Sequence, residues 1–126
     1  QLFLTFAEPG AIGLSAIGSL IQPVSRREDA GLWVEFDAKA DRSIHVPMAP
    51  GLMKRVGIRD FRKIGVGQKC VVDALDGTIA FDGEKEVELS AGDRVEITLL
   101  QDGPWIVDVV TVMKCIGEAG LLAGGE

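Results

Sequence analysis

The sequence contains no tyrosine, one histidine and two cysteines among its 126 residues, and these scarcities exclude much chemistry at the outset. Cys70 and Cys115 are far apart and have only His45 to join them, so no zinc site of the usual ligand spacing can be assembled. Two isolated cysteines fit the reduced thiols of a cytosolic protein better than a disulfide scaffold, so a cytoplasmic location is expected. No apolar run approaches the ~18 residues needed to span a bilayer. The opening Gln1-Leu2-Phe3-Leu4-Thr5-Phe6 has no positively charged region and is too short for a secretory signal. It also lacks an initiator methionine and begins mid-strand, so the chain is expected to be part of a longer protein. Basic charge is the minority sign: 13 Lys and Arg against 19 Asp and Glu give a net charge of −6 and a pI of about 4.8. A general nucleic-acid binder needs a basic footprint, so neither nucleic acid nor a membrane is expected as a partner.

Catalytic motifs are equally sparse. There is no Walker A sequence, and Gly65-Val66-Gly67 lacks the third glycine and the strand–helix setting of a dinucleotide fingerprint. Gly13-Leu14-Ser15-Ala16-Ile17 opens like a nucleophile elbow but has Ile17 where the final glycine belongs. His45 sits between Ile44 and Val46 in a strand pattern, which fits a structural role better than a catalytic one. Asp82 and Glu84 straddle a turn, either as a pair of carboxylates or as ordinary turn residues. On its residues alone, the chain contributes to a site rather than owning one.

What is present is a glycine-rich, apolar chain: 47% hydrophobic residues and 16 glycines predict one compact, turn-rich domain. Its organising stretch runs from Pro9 to Pro23. Leu14, Ile17, Leu20 and Ile21 fall near one face of a helix, and Pro23 favours a stop. Gly10 to Gly13 before such a helix would aim backbone N–H groups at one point, as phosphate-holding loops do. The alternative is a buried connecting helix whose glycines allow close packing. Strands are predicted at Leu2–Ala7, Leu32–Phe36, Ser43–Val46, Leu52–Ile64, Val66–Leu75, Thr78–Phe81, Glu86–Leu89 and Val95–Leu99, with Asp76-Gly77 and Asp82-Gly83 as hairpin turns. Val109, Val112, Met113 and Ile116 have helical spacing, with Asp108 available as a cap. Lys54, Arg55, Arg59, Arg62 and Lys63 form the only basic concentration, facing a phosphate or acidic partner or else forming a solvated strand face. The expected fold is mainly β: a β-sandwich with one or two short helices.

Several stretches together resemble the C-terminal domain of NAD kinases. Pro9-Gly10 through Leu14-Ser15-Ala16-Ile17-Gly18 and on to Pro23 is similar to the block opening that domain. Thr78 to Glu84, followed by Gly92-Asp93-Arg94-Val95-Glu96-Ile97, is similar to its late hairpin. Closer still is the AcoX-type branch, the NAD-kinase-like proteins associated with acetoin catabolism. That likeness runs through Gly13–Gly18, Pro47–Leu52, Asp82–Glu86 and Asp102–Val109.

The resemblance implies an NAD-kinase-type C-terminal β-sandwich spanning residues 1–126, partnered by an α/β N-terminal domain that holds the catalytic Gly-Gly-Asp-Gly motif. This chain lacks that motif, so the fragment alone is expected to be inactive and to need no cofactor. ATP, NAD and Mg2+ are implied only for the full-length family. The ligand-facing residues implied are Gly10, Gly13, Leu14, Ser15, Ala16, Gly18, Asp82 and Gly83, with Lys54, Arg55 and Arg59 towards phosphate. The family's Ser-Thr-Ala-Tyr is replaced here by Ala11-Ile12-Gly13, which removes a tyrosine platform and hydroxyl donors for a dinucleotide. A nucleotide or phosphorylated small molecule and a homo-oligomer remain the expected partners. The other reading is a ligand-sensing or oligomerisation β-module that keeps the fold without kinase activity.

Overall fold

The structure, a computed structural model, describes residues 1–73, 76–82 and 84–121. It is mainly β with two helices. A four-stranded antiparallel sheet has the order β1-β2-β4-β3, formed by β1 (Leu2–Leu4), β2 (Ala30–Phe36), β4 (Leu52–Gly65) and β3 (Ser43–Ala49). In β2, Leu32 and Val34 are buried while Trp33 and Glu35 turn to the other face, as the sequence alternation requires.

Helix α1 (Leu14–Ile21) lies on the buried face of this sheet. Ile17, Val24, Leu32, Val34, Val46 and Ile58 are its largest fully buried side chains, each worth about 1.5–3 kcal/mol of apolar transfer. The helix buries only part of the row its spacing predicts, Ile17 fully and Ile21 in part. Ala16, Ile17 and Gly18 are buried, whereas Leu14 and Leu20 are exposed. The reason is Gly18, where an added Cβ would stand 2.5 Å from Leu4 Cδ1 and 2.7 Å from Ala7 Cβ. The absent side chain lets the helix backbone settle directly on β1.

Strand boundaries shift where local pairing competes. β1 stops at Leu4, and the chain regains contact through a bridge between Ala7 and Val24. β3 does not end at Pro47 but continues to Ala49. It is an edge strand, where proline's missing N–H costs no ladder bond. β4 is the long spine, and its partners change along it. It pairs with β3 from Leu52 to Gly57 and with β2 from Ile58 to Gly65, so each half is bonded to a described strand on one edge only.

β5 (Lys69–Asp73) pairs with β8 (Arg94–Thr98), and β6 (Gly77–Phe81) with β7 (Lys85–Leu89). The two pairs follow one another as halves of a long hairpin with Asp82 at its turn. The hairpin expected at Asp76-Gly77 is therefore not formed: β5 pairs with β8 and not with β6, and Gly77 opens β6. The ribbon is rooted at the Gly65 end of β4, where Gly67 N–H donates to Leu99 O at 2.8 Å. Helix α2 (Val109–Glu118) follows β8. Asp108 caps it as expected, accepting from Thr111 N–H at 3.1 Å. The chain's last glycines, like Gly83, lie outside the described residues. Among the described residues, no helix is long and apolar enough to cross a membrane.

Candidate functional site

The entry to α1 is built by two glycines with left-handed backbone, Gly10 at φ 90° and Gly13 at φ 80°. Gly13 also has ψ −150°, a combination that only glycine adopts without strain. Its N–H donates to Pro47 O at 2.9 Å, which fixes the start of the helix against β3. No side chain caps α1, and its first turn contains no acidic residue. The positive end of the helix dipole is therefore left uncompensated by any carboxylate of its own. The serine hydroxyls do not add donors there. Ser15 Oγ hydrogen-bonds Ile12 O at 3.2 Å and Ser19 Oγ hydrogen-bonds Ala16 O at 3.0 Å, so both serve their own helix.

Lys54 joins this end of the molecule through register. It stands opposite Val46, which is fully buried on the α1 side of the sheet, and directly opposed residues share a face. Its neighbour Met53 faces Pro47, whose carbonyl holds Gly13. Among the described residues, Lys54 forms no ion pair.

The other two cations are placed elsewhere. Arg55 faces His45 on the opposite face, and its Nε donates to Ser43 Oγ at 2.9 Å. These two residues line a small cavity of about 140 Å3 with Ala38, Ala40 and Gly57. Arg59 is held by carboxylates, 2.8 Å from Asp37 and 3.8 Å from Glu35. Hydrogen bonding to Asp37, then the charges of Asp37 and Glu35, raise the Arg59 pKa. The Lys39 N–H first, and then Arg59, lower that of Asp37. Arg59 is thus already neutralised. Further along the run, Lys63 Nζ lies 2.6 Å from Glu28, and Arg62 stacks over the Trp33 ring at 4.7 Å.

The structure therefore gathers Gly10, Gly13, Leu14, Ser15 and Lys54 at one end of the sheet. It places Ala16 and Gly18 in the core, where they pack rather than face a ligand. Asp82 caps the far hairpin with φ 48°, on a ribbon rooted twelve residues of β4 away from Met53, about 40 Å along the strand. Gly83 beside it lies outside the described residues. Among the described residues, no cluster of three or more His, Cys, Asp and Glu could hold a metal ion.

One feature is absent from the sequence-based expectations. A groove of about 930 Å3 runs between Phe6, Arg26, Leu99, Trp105 and Val109. Arg26 stacks on Phe6 at 3.8 Å and pairs with Glu8 at 3.3 Å on its wall. The apolar run from Trp105 to Val110 was the signal for it.

No solved structure matches the chain. The acetoin catabolism protein X of Cupriavidus necator is 35% identical over 123 residues, a match that takes in 96% of this chain and 34% of that protein. The chain thus spans about a third of the length of this curated relative. Residues 1–102 match the acetoin catabolism protein X C-terminal domain. With most of its length matched and a relative at that identity, the chain belongs to the family of acetoin catabolism protein X C-terminal domains.

Proposed function

We propose that this domain is the ligand-facing, non-catalytic part of an NAD-kinase-like phosphotransferase that serves acetoin catabolism. Its task is to hold a phosphate of a nucleotide or phosphorylated acceptor, while the chemistry of transfer belongs to the rest of the protein. The observation that carries this reading is the open start of α1. Gly13 is turned by its left-handed backbone, no carboxylate caps the helix, and Lys54 stands on the same face with no ion pair among the described residues. N–H groups at a helix start together with a lysine are the chemistry of phosphate recognition.

The donor set fits an anion and not a divalent cation, since Mg2+ asks for oxygen ligands. If ATP and NAD are the parent's substrates, with Mg2+ among its requirements, the metal falls to residues of the preceding domain. Phosphoryl transfer is mostly positioning and charge neutralisation, so a domain of this kind can set acceptor choice without any catalytic group.

Isothermal titration of the full-length parent with NAD and with ATP, repeated on this chain and on a Lys54→Ala parent, tests the reading. Binding to the parent that weakens about tenfold or more in Lys54→Ala is expected. Binding unaffected by that substitution, or no nucleotide binding at all, would refute it. The second reading, an oligomerisation module, rests on the exposed apolar groove. It predicts self-association of the chain without nucleotide binding.

A further inference from the structure

Helix α2 is well formed yet packs on nothing that buries it. It has ten residues, a side-chain N-cap and an apolar row at Val109, Val112, Met113 and Ile116, but none of its residues is buried. The segment before it is equally bare, with Trp105 fully exposed and Ile106 and Val107 mostly so. Among the described residues, the ion pair from Arg27 Nη2 to Asp108 Oδ2, at 3.0 Å, ties this segment to the sheet domain. A ten-residue helix is marginal in water by itself and depends on tertiary packing of its apolar face. Something outside the described residues has to supply that packing.

The bounds of the two sequence matches indicate what. The C-terminal domain family accounts for residues 1–102 and stops before Trp105. The match to the curated relative takes in 96% of the chain, so it continues through α2. The segment from Trp105 to Glu118 is thus shared with a full-length protein, yet lies beyond the domain to which the sheet belongs. Two thirds of that protein's length lies outside the match.

A second copy of this chain is a poorer occupant. A helix of this length extends about 15 Å, and a face of that size falls well short of the ~1,200 Å2 that stable complexes bury in total. Docking within one chain needs less area, because tethering supplies an effective concentration in the millimolar range.

We infer that Trp105–Glu118 is an arm that docks its apolar face onto the part of the parent protein outside these residues, clamping the two parts together across the groove beside Phe6 and Leu99. This inference shares with the proposed function the premise that the chain works within a longer protein. It does not depend on the anion site.

Hydrogen exchange on the 126-residue chain and on the full-length parent tests it, together with the emission of Trp105 in a Trp33→Phe background. The expected result is at least about tenfold slower exchange of the α2 amides in the parent, with a blue-shifted Trp105 emission. A Met113→Asp parent should lose that protection, while the 126-residue chain carrying the same change melts as before. Equal exchange in both proteins, or a melting loss in the short chain, would overturn the inference. So would slower exchange that depends on the concentration of the short chain, which would assign the face to a second copy. Loss of nucleotide binding with α2 protection intact would sink the proposed function and leave the arm standing.

Discussion

Replacing Gly57 by alanine should destabilise the fold at the middle of the spine strand, and Gly65 in the same strand provides the control. An added Cβ at Gly57 would lie 2.0 Å from the carbonyl oxygen of Asp37 and 3.0 Å from its carbonyl carbon. Both are backbone atoms, so no rotamer change can relieve the overlap. Either the turn after β2 swings away or β4 bends. In both cases the hydrogen bond from Asp37 N–H to Gly57 O, at 3.1 Å, is strained or lost. Overpacking costs about 1–3 kcal/mol and the lost backbone bond about 1 kcal/mol. Against these stands about 0.5–1 kcal/mol for replacing glycine within a strand. The net loss is about 1–3 kcal/mol, a fall in Tm of roughly 5–15 °C for a domain of this size. At Gly65 an added Cβ meets nothing within 4 Å, so Gly65→Ala should be neutral or slightly stabilising. Thermal unfolding followed by circular dichroism measures both. A Gly57→Ala chain that melts with the wild type, or a Gly65→Ala chain that falls equally, would refute the placement of the turn over Gly57.

Gly13→Ala should cost about 1–3 kcal/mol from backbone strain alone, since the nearest atom to an added Cβ is Met48 O at 4.0 Å; chemical denaturation reads it. Glu28, Asp37 and Asp108 all have lowered pKa values. The causes begin with the hydrogen bond from Lys63, the Lys39 N–H and the Thr111 N–H respectively. A carboxylate with a lowered folded pKa stabilises fully above its unfolded pKa and loses that contribution as pH falls through the folded value. Tm should therefore decline below about pH 4.5, and less steeply in an Asp37→Asn variant. Asp108→Ala, which removes the cap and the pair with Arg27, should reduce the helical circular dichroism signal of α2 and lower Tm only slightly.

Much of the fold is legible in local pattern. The alternation of Leu32, Val34 and Phe36, the helix at Leu14–Ile21 and the cap at Asp108 follow from periodicity and side-chain chemistry. The buried face of α1 is not, because Gly18 is invisible to a hydrophobic count yet decides how closely the helix approaches Leu4 and Ala7. Nor is the sorting of the basic run. Lys54 and Arg55 are neighbours in sequence, but the pleat sends them to opposite faces, and only pairing with Val46 and His45 shows which one joins the α1 entry. Arg59 looked like a phosphate anchor because Glu35 and Asp37, which neutralise it, come from another strand. The groove beside Trp105 is not legible in local pattern either, because its walls are brought together from distant parts of the chain.

The one-sided pairing of β4 gives the basic run a meaning of its own. Among the described residues, β3 pairs only with the first half of β4 and β2 only with its second. Each half therefore has an edge with no described strand beside it, met only by single backbone bonds such as Asp37 N–H to Gly57 O and Ile58 N–H to Arg42 O. Lys54, Arg55, Arg59, Arg62 and Lys63 occupy that strand, and charge, lysine above all, is how proteins discourage edge-to-edge aggregation. Neutralising Arg55 and Arg62, which form no ion pair among the described residues, would thus leave the monomer's melting little changed while lowering the concentration at which the protein stays dispersed. On this view the charges act between molecules, as a guard on the longest of the described strands.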